Sequence, residues 1–419
     1  MEMIMKLIYF VIAGLVGGIC FPCSAIANEL TLREAFEKTL RGNPTLQKYP
    51  YQQRMVEADK LQAALRPNPT IGLELENVAG SGNSQGLEHA EATLSFSQLI
   101  ELGGKQEQRI ELVSAHASQL EAEFGYAKIE MLAETARRFY DVVRLQNLAK
   151  WNFQQRERLE KAQKTAQQRV DSGAVPPSEV TRVLLQQRQV VARSQELAGQ
   201  LKEANAHLSA MWAGEPKFTG VIGEFQSAIE IPSQAEVERA VNQAPELLRL
   251  LDSERLLSAK AESIKASASA DLSLGLGVRF NNQSNDTSLV FQASMPLQLS
   301  NPSEGSIQAN RTERELNLDQ QRLVRQQLNV YASALLARIQ TNFRYLKTIQ
   351  SDLLPLAEQL EQETKEGYAK GINSLLVILD AQHELAQLEY QLIERRSAIY
   401  HDILELERMT GQSFLESKL

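Results

Sequence analysis

The 419-residue sequence is poor in cysteine: it has two, Cys20 and Cys23, both within the first thirty residues. The rest of the chain has no thiol, so it holds no disulfide and no thiolate for a soft metal. Positive charge is not in excess. The formal net charge of -8 excludes the basic footprint of a nucleic-acid binder. Long greasy runs are missing too, and a mean hydropathy of -0.30 excludes a polytopic helical membrane protein. Disorder is excluded from the other side, because apolar residues make up 43% of the chain and recur with period.

Chemical motifs are equally scarce. His89, His116, His207 and His401 are scattered, and no zinc-type ligand spacing occurs. Asp380 and His383 stand three apart, but two ligands do not make a metal site. Gly80-Ser81-Gly82 falls between strand patterns and reads as a hairpin loop, not a phosphate cradle. No pairing of nucleophile and base stands out. The expectation is a protein without catalysis, cofactor or resident metal.

What is present begins with an export signal. Lys6 precedes an apolar run from Leu7 to Phe21, too short to span a bilayer comfortably, and Ala25-Ile26-Ala27 is a small-x-small cleavage site. Residues 1–27 are expected to be removed after Ala27. Gly17-Gly18-Ile19 before Cys20 match a lipoprotein signal poorly, and an uncleaved anchor is the alternative.

The remainder repeats one plan. A shift of 201 places Pro44, Leu46 and Ala58 on Pro245, Leu247 and Ala259, and Ile71, Leu73 and Leu75 on Leu272, Leu274 and Leu276. A shift of 197 places Ile100, Leu102 and Ile110 on Leu297, Leu299 and Ile307, and one of 198 places Gly173 on Gly371. Each half reads helix, strand, strand, very long helix, break, helix. The first repeat covers 28–212, with strands at about 69–79 and 91–102 and helices at about 104–171 and 177–212. A linker follows over 213–233. The second repeat covers 234–419, with strands at about 271–281 and 287–299 and helices at about 303–370 and 373–411. Pro67, Pro69 and Gly103-Gly104 punctuate the first half. A helix of over sixty residues would be ~100 Å long. Pro355 falls inside the second long helix and predicts a kink there.

The strands alternate apolar residues with Ser, Thr, Gln or Gly. That is the pattern of a membrane barrel with a wet lumen, and equally of an ordinary sheet packed on helices. The export signal, the missing cysteines and the paired hairpins favour the barrel. Ile71, Leu73, Leu75, Leu94, Phe96, Leu272, Leu274, Leu276 and Phe291 would then face lipid. Four strands cannot close a barrel, and open edges are not tolerated in lipid. Two copies would give the eight-strand minimum, and three would give twelve strands and room for a lumen.

The duplicated plan, the hairpins, the long helices and the two glycine breaks (Val170-Asp171-Ser172-Gly173-Ala174-Val175 and Tyr368-Ala369-Lys370-Gly371-Ile372-Asn373-Ser374) resemble the TolC family of outer-membrane channel proteins. The segment from Ser374 to Leu385 is similar to that family's second repeat. Ser97-Gln98-Leu99-Ile100-Glu101-Leu102-Gly103-Gly104-Lys105 resembles its heavy-metal branch, of the cobalt–zinc–cadmium type. The resemblance implies a mainly α fold with a small β part. It implies a homotrimer with a shared transmembrane β-barrel and a long periplasmic α-barrel. It further implies an outer-membrane exit duct for heavy-metal cations, working with a periplasmic adaptor (membrane fusion protein) and an inner-membrane RND transporter. Gly173 and Gly371 would mark adaptor-docking tips. Glu179 and Asp380 match the family's gate acids, and Arg182 stands at the repeat equivalent of Asp380, so the three would form an inter-helix salt bridge at the gate. Val377 departs from members that carry a second acid there. The alternatives are a duct for drugs or secreted polypeptides, and a periplasmic coiled-coil adaptor or structural protein.

Overall fold

The computed structural model describes residues 29–78, 80–82, 85–225, 230–297 and 299–414. The expected signal segment 1–27 lies outside the described residues, as does part of the loop between Ala79 and Gly86. The first half comprises β1 (Glu29–Thr31), α1 (Leu32–Gly42), α2 (Tyr49–Ala63), β2 (Thr70–Glu76), β3 (Glu91–Ile100), α3 (Lys105–Asp171) and α4 (Ser178–Ala210). The second comprises β4 (Gly220–Ile222), α5 (Gln234–Val241), α6 (Pro245–Ser267), β5 (Leu272–Asn281), β6 (Asp286–Ser294), α7 (Glu304–Thr348), α8 (Leu354–Ala369) and α9 (Leu375–Thr410).

Each half therefore opens with a short strand and a short helix that were not among the expected elements. Both helices start with a capping box. Thr31 and Glu34 exchange side-chain and backbone hydrogen bonds at α1, and Ser233 and Glu236 do so at α5. Residues 213–233 are not wholly irregular as expected, because β4 lies among them and pairs in parallel with β1. The strand expected to run to residue 299 stops at Ser294. Pro296 has no N–H to give a ladder. The long helix expected over 303–370 is interrupted by a π-helical turn, Ile349–Leu353, after which Pro355 sits in the first turn of α8. Proline removes an N–H and crowds the carbonyl four residues back, and the wider turn absorbs both effects.

The chain forms two compact units. One takes the residues up to Lys48, Gly125–Glu246 and those from Val324; the other takes Tyr49–Phe124 and Leu247–Leu323. In the first unit, α3 and α9 run antiparallel. Ion pairs from Arg144 to Glu394 and from Arg408 to Glu130 cross between them, and the His401 ring lies 3.2 Å from the Asp141 carboxylate. Under β1 and β4, Leu30, Ala35, Phe139, Val142, Val143, Leu208 and Val221 form a buried cluster. In the second unit, buried Asn310 and Asn317 of α7 donate to the Leu257 and Leu250 carbonyls of α6, at 3.1 and 3.2 Å. Donors and acceptors are each one heptad apart, so the pair fixes the register of that seam.

Phe139 is 1% exposed at the centre of the β1–β4 cluster. Phe139→Ala is expected to cost about 3–5 kcal/mol. It should appear as a lowered melting temperature by circular dichroism in detergent, and an unchanged melt would show that the cluster does not hold this unit.

Candidate functional site

The four-stranded sheet has the order β2-β3-β5-β6, all antiparallel, with the two halves of the chain meeting at β3–β5. Register places Ile71, Phe96, Leu276 and Phe291 in one row across the sheet. Leu73, Leu94, Val278 and Leu289 form the next row on the same face. This apolar face is exposed: Ile71 and Phe291 are each 78% accessible, and Leu73, Leu94 and Leu276 are exposed as well. On the inner strand β3 the polar face is the covered one, with Thr93 4% accessible. Burying a large apolar side chain is worth about 1.5–3 kcal/mol, so a water-facing sheet would not present this side outward. Leu75 and Leu274 are exposed on that face too, while Leu272 is half-buried at the start of β5. Both outer edges, on β2 and β6, lack a strand partner among the described residues. No described helix is long and apolar enough to cross a membrane.

The strand-to-helix junction is built by the Ser97–Lys105 segment. Gly103 and Gly104 both adopt left-handed φ values of 74° and 73°, which let β3 turn into α3. A Cβ on Gly103 would also meet the Ser269 hydroxyl oxygen at 2.2 Å. Arg109 on the first turns of α3 grips the Glu101 carboxylate with both guanidinium arms, and Lys105 donates to Asp271 at 2.7 Å. Hydrogen bonding from Arg109 holds the Glu101 carboxyl below the ordinary carboxylate range. Burial raises Asp271, but the Lys105 ammonium and the Leu102 N–H outweigh it and leave a net lowering.

In the other unit, Gly173 and Gly371 follow the ends of α3 and α8 with φ of 71° and 74°. Both close Schellman motifs: Ala174 N–H reaches the Arg169 carbonyl at 2.9 Å, and Ile372 N–H reaches Gly367 at 2.8 Å. An added Cβ on Gly173 would meet open space, so its glycine answers to backbone conformation and not to a close approach within the chain. The close approach is at Gly367, where a Cβ would lie 2.3 Å from Asn373.

Glu179, Arg182 and Asp380 do not form the expected salt bridge with one another within the chain. Instead Glu179 accepts from the Tyr368 hydroxyl at 3.3 Å, while Arg182 and Asp380 are exposed. Tyr368 is 4% accessible and packs with Ala166, Val183, Leu375 and Leu379. Arg169 lies 4.2 Å over its ring and donates to its carbonyl at 2.9 Å. Burial, then the Glu179 charge, push the Tyr368 phenol up, which keeps it a neutral donor. Sequence reading missed Arg169 and Tyr368. The available signal was an aromatic residue one turn before a helix-ending glycine. Among the described residues, no group of three or more His, Cys, Asp or Glu is placed to hold a metal ion, and His383 is exposed beside Asp380.

Residues 35–214 match the family model described as outer membrane efflux protein. The matched stretch includes β2, β3, the glycine junction, α3 and α4. Over 406 residues the chain is 23% identical to the cobalt-zinc-cadmium resistance protein CzcC of Cupriavidus metallidurans, covering 94% of this chain and 92% of that protein. Among solved structures, CusC matches with a TM-score of 0.73 at 13% identity, over 95% of this chain and 100% of that one. The outer-membrane channel OprN matches with a TM-score of 0.71 at 15% identity, over 95% and 99%. VceC of Vibrio cholerae matches at 0.70 and 15%, over 91% and 96%. The fold is that of these TolC-like channel proteins.

The junction carries a pH signature. Glu101 and Asp271 have lowered folded values, so their stabilisation is present above the unfolded carboxylate range and is lost as pH falls through the folded values. Thermal melts are expected to drop on going from about pH 7 to about pH 3, with a smaller drop in Glu101→Gln. An identical drop in that variant would place the acid sensitivity elsewhere.

Proposed function

We propose that the chain is the outer-membrane duct of a tripartite efflux pump and exports heavy-metal cations. The observation that carries the reading is the outward apolar face of β2-β3-β5-β6 bounded by two open edges. Such a face suits lipid, and such edges need further strands before lipid can surround them. Three copies supply twelve strands and a lumen lined by the polar face. The duct sits in the bacterial outer membrane and its long helices extend into the periplasm. The similarity to a cobalt-zinc-cadmium resistance protein supports the cargo. Energy comes from an inner-membrane RND transporter, coupled through a periplasmic adaptor that docks at the Gly173 and Gly371 turns.

The gate belongs to the same end of the helices. Glu179 is held by Tyr368, which Arg169 covers, and this ties α4 to the ends of α3 and α8. Arg182 and Asp380, exposed in the single chain, are left to meet neighbouring copies. Docking of the adaptor would compete for these contacts and release the helices.

Cell fractionation is expected to recover the protein with the outer membrane, and recovery in soluble periplasm would sink the duct reading. Deleting the gene should lower tolerance to cobalt, zinc and cadmium salts. Unchanged metal tolerance with lost tolerance to organic toxics would shift the cargo to drugs. For the gate, Glu179→Ala combined with Asp380→Ala should raise single-channel conductance in planar bilayers, and an unchanged conductance would remove both residues from that role.

A further inference from the structure

All the charge on the four sheet strands gathers at one end of one face. Glu74, Glu76, Glu91, Arg279 and Asp286 lie in the last two rows before the hairpin loops, on the polar side. Glu76, Glu91, Asn281 and Asp286 make the outermost row; Glu74, Thr93, Arg279 and Ser288 make the next. Arg279 is the one base on these strands, set against four carboxylates.

Register forces two of those carboxylates together. Glu76 on β2 stands directly opposite Glu91 on β3, a like-charge pair that is unfavourable when unscreened. Arg279 resolves it from β5. Its Nη2 meets Glu76 at 3.0 Å, its Nη1 meets Glu91 at 3.0 Å, and its Nε donates to Thr93 at 3.0 Å. Asn281 donates to the other Glu91 oxygen at 2.7 Å. One guanidinium thus hydrogen-bonds Thr93 and Glu91 on β3 and pairs by charge alone with Glu76 on β2, whose Oε2 accepts no hydrogen bond among the described residues. Glu74 and Asp286 are exposed and form no ion pair among the described residues.

We propose that Arg279 sets the cation affinity of the duct's exit. It occupies the two carboxylates that would otherwise converge on a divalent cation. Glu74 and Asp286 are left to draw cations by their field alone. Divalent cations are held by several converging oxygens. A conducting site must attract an ion yet bind it weakly enough to let it leave. The arrangement meets both demands, since free carboxylates raise the local cation concentration while the chelating pair is already neutralised. This inference rests on the duct reading, because it needs the polar face to line a lumen.

Planar-bilayer recordings test it at about 0.1 M KCl, where the Debye length is about 10 Å. Calcium and zinc chloride serve as probes. The wild-type channel should favour K+ over Cl- and tolerate both divalent salts. Arg279→Gln should lower the half-blocking calcium concentration about tenfold by freeing the Glu76 and Glu91 oxygens. Adding Glu76→Gln and Glu91→Gln to that variant should restore tolerance, which a brace for the sheet alone would not do. Glu74→Gln with Asp286→Asn should lower the K+/Cl- permeability ratio without changing the block. Neither side chain takes part in the Arg279 network, so that pair decides the matter even where Arg279→Gln does not insert. Wild-type calcium sensitivity in conducting Arg279→Gln channels would overturn the proposal, as would an unchanged permeability ratio in the Glu74/Asp286 variant. A wild-type protein that forms no channel at all would overturn the duct reading and this inference with it.

Discussion

Backbone hydrogen bonding at the two outer strand edges constrains everything else in this chain. Each edge carries a row of N–H and C=O groups, and β2 and β6 have a partner on one side only. In water such an edge is a liability; in hydrocarbon it is untenable. The apolar face turned outward rules water out as the comfortable solvent for this sheet. Under the duct reading the two facts together call for more strands than one chain owns. Closure by further copies would answer both, and it explains why the pairing β3–β5 matters. That ladder joins the two halves of the chain into one unbroken four-strand segment.

The helices inherit a second constraint from that sheet. Under the duct reading, a strand that lies in lipid must hand over to a helix that lies in water, within very few residues. The Ile100–Lys105 segment does this with two consecutive left-handed glycines and two ion pairs, Glu101 to Arg109 and Lys105 to Asp271. Charged groups clustered just past the last strand residue suit a boundary where solvent changes. The short sequence that carries the likeness to the heavy-metal branch is therefore occupied with building a corner. Its Gln98, Glu101, Gly103 and Lys105 touch the protein's own backbone and side chains. Any influence on cargo would act through the placement of the strands, not through contact.

Much of this was legible before the fold was seen, and the misses have physical causes. Strand faces could be read because alternation has a period of two and a one-residue slip would invert it. Long helices could be read because so few residues in them break a helix. Helices α1 and α5 were missed although both are amphipathic, with Leu32, Ala35, Phe36 and Leu40 at helical spacing in α1, and although their capping boxes at Thr31 and Ser233 stood in the sequence. The tip residues Glu179, Arg182 and Asp380 were picked by matching positions, yet among the described residues only Glu179 has a side-chain partner, and that partner is a tyrosine. Pairing across helices depends on rotation and axial stagger, and neither is written in spacing along one helix. Arg279 escaped for the same reason, since its partners lie on two other strands and are fixed by register alone.

Charge placement separates attraction from retention. Paired carboxylates elsewhere in the chain, such as Glu101 and Asp402, are gripped by arginine and serve structure. The free ones on the sheet stand beside the loops, on its polar side. A duct that hands its cargo outward gains nothing from holding it, and a carboxylate pair left open at the exit would do so. Under the duct reading, neutralising Glu76 and Glu91 while leaving Glu74 and Asp286 exposed keeps the field and removes the trap. Selectivity for one ion over another then falls to whatever loads the duct.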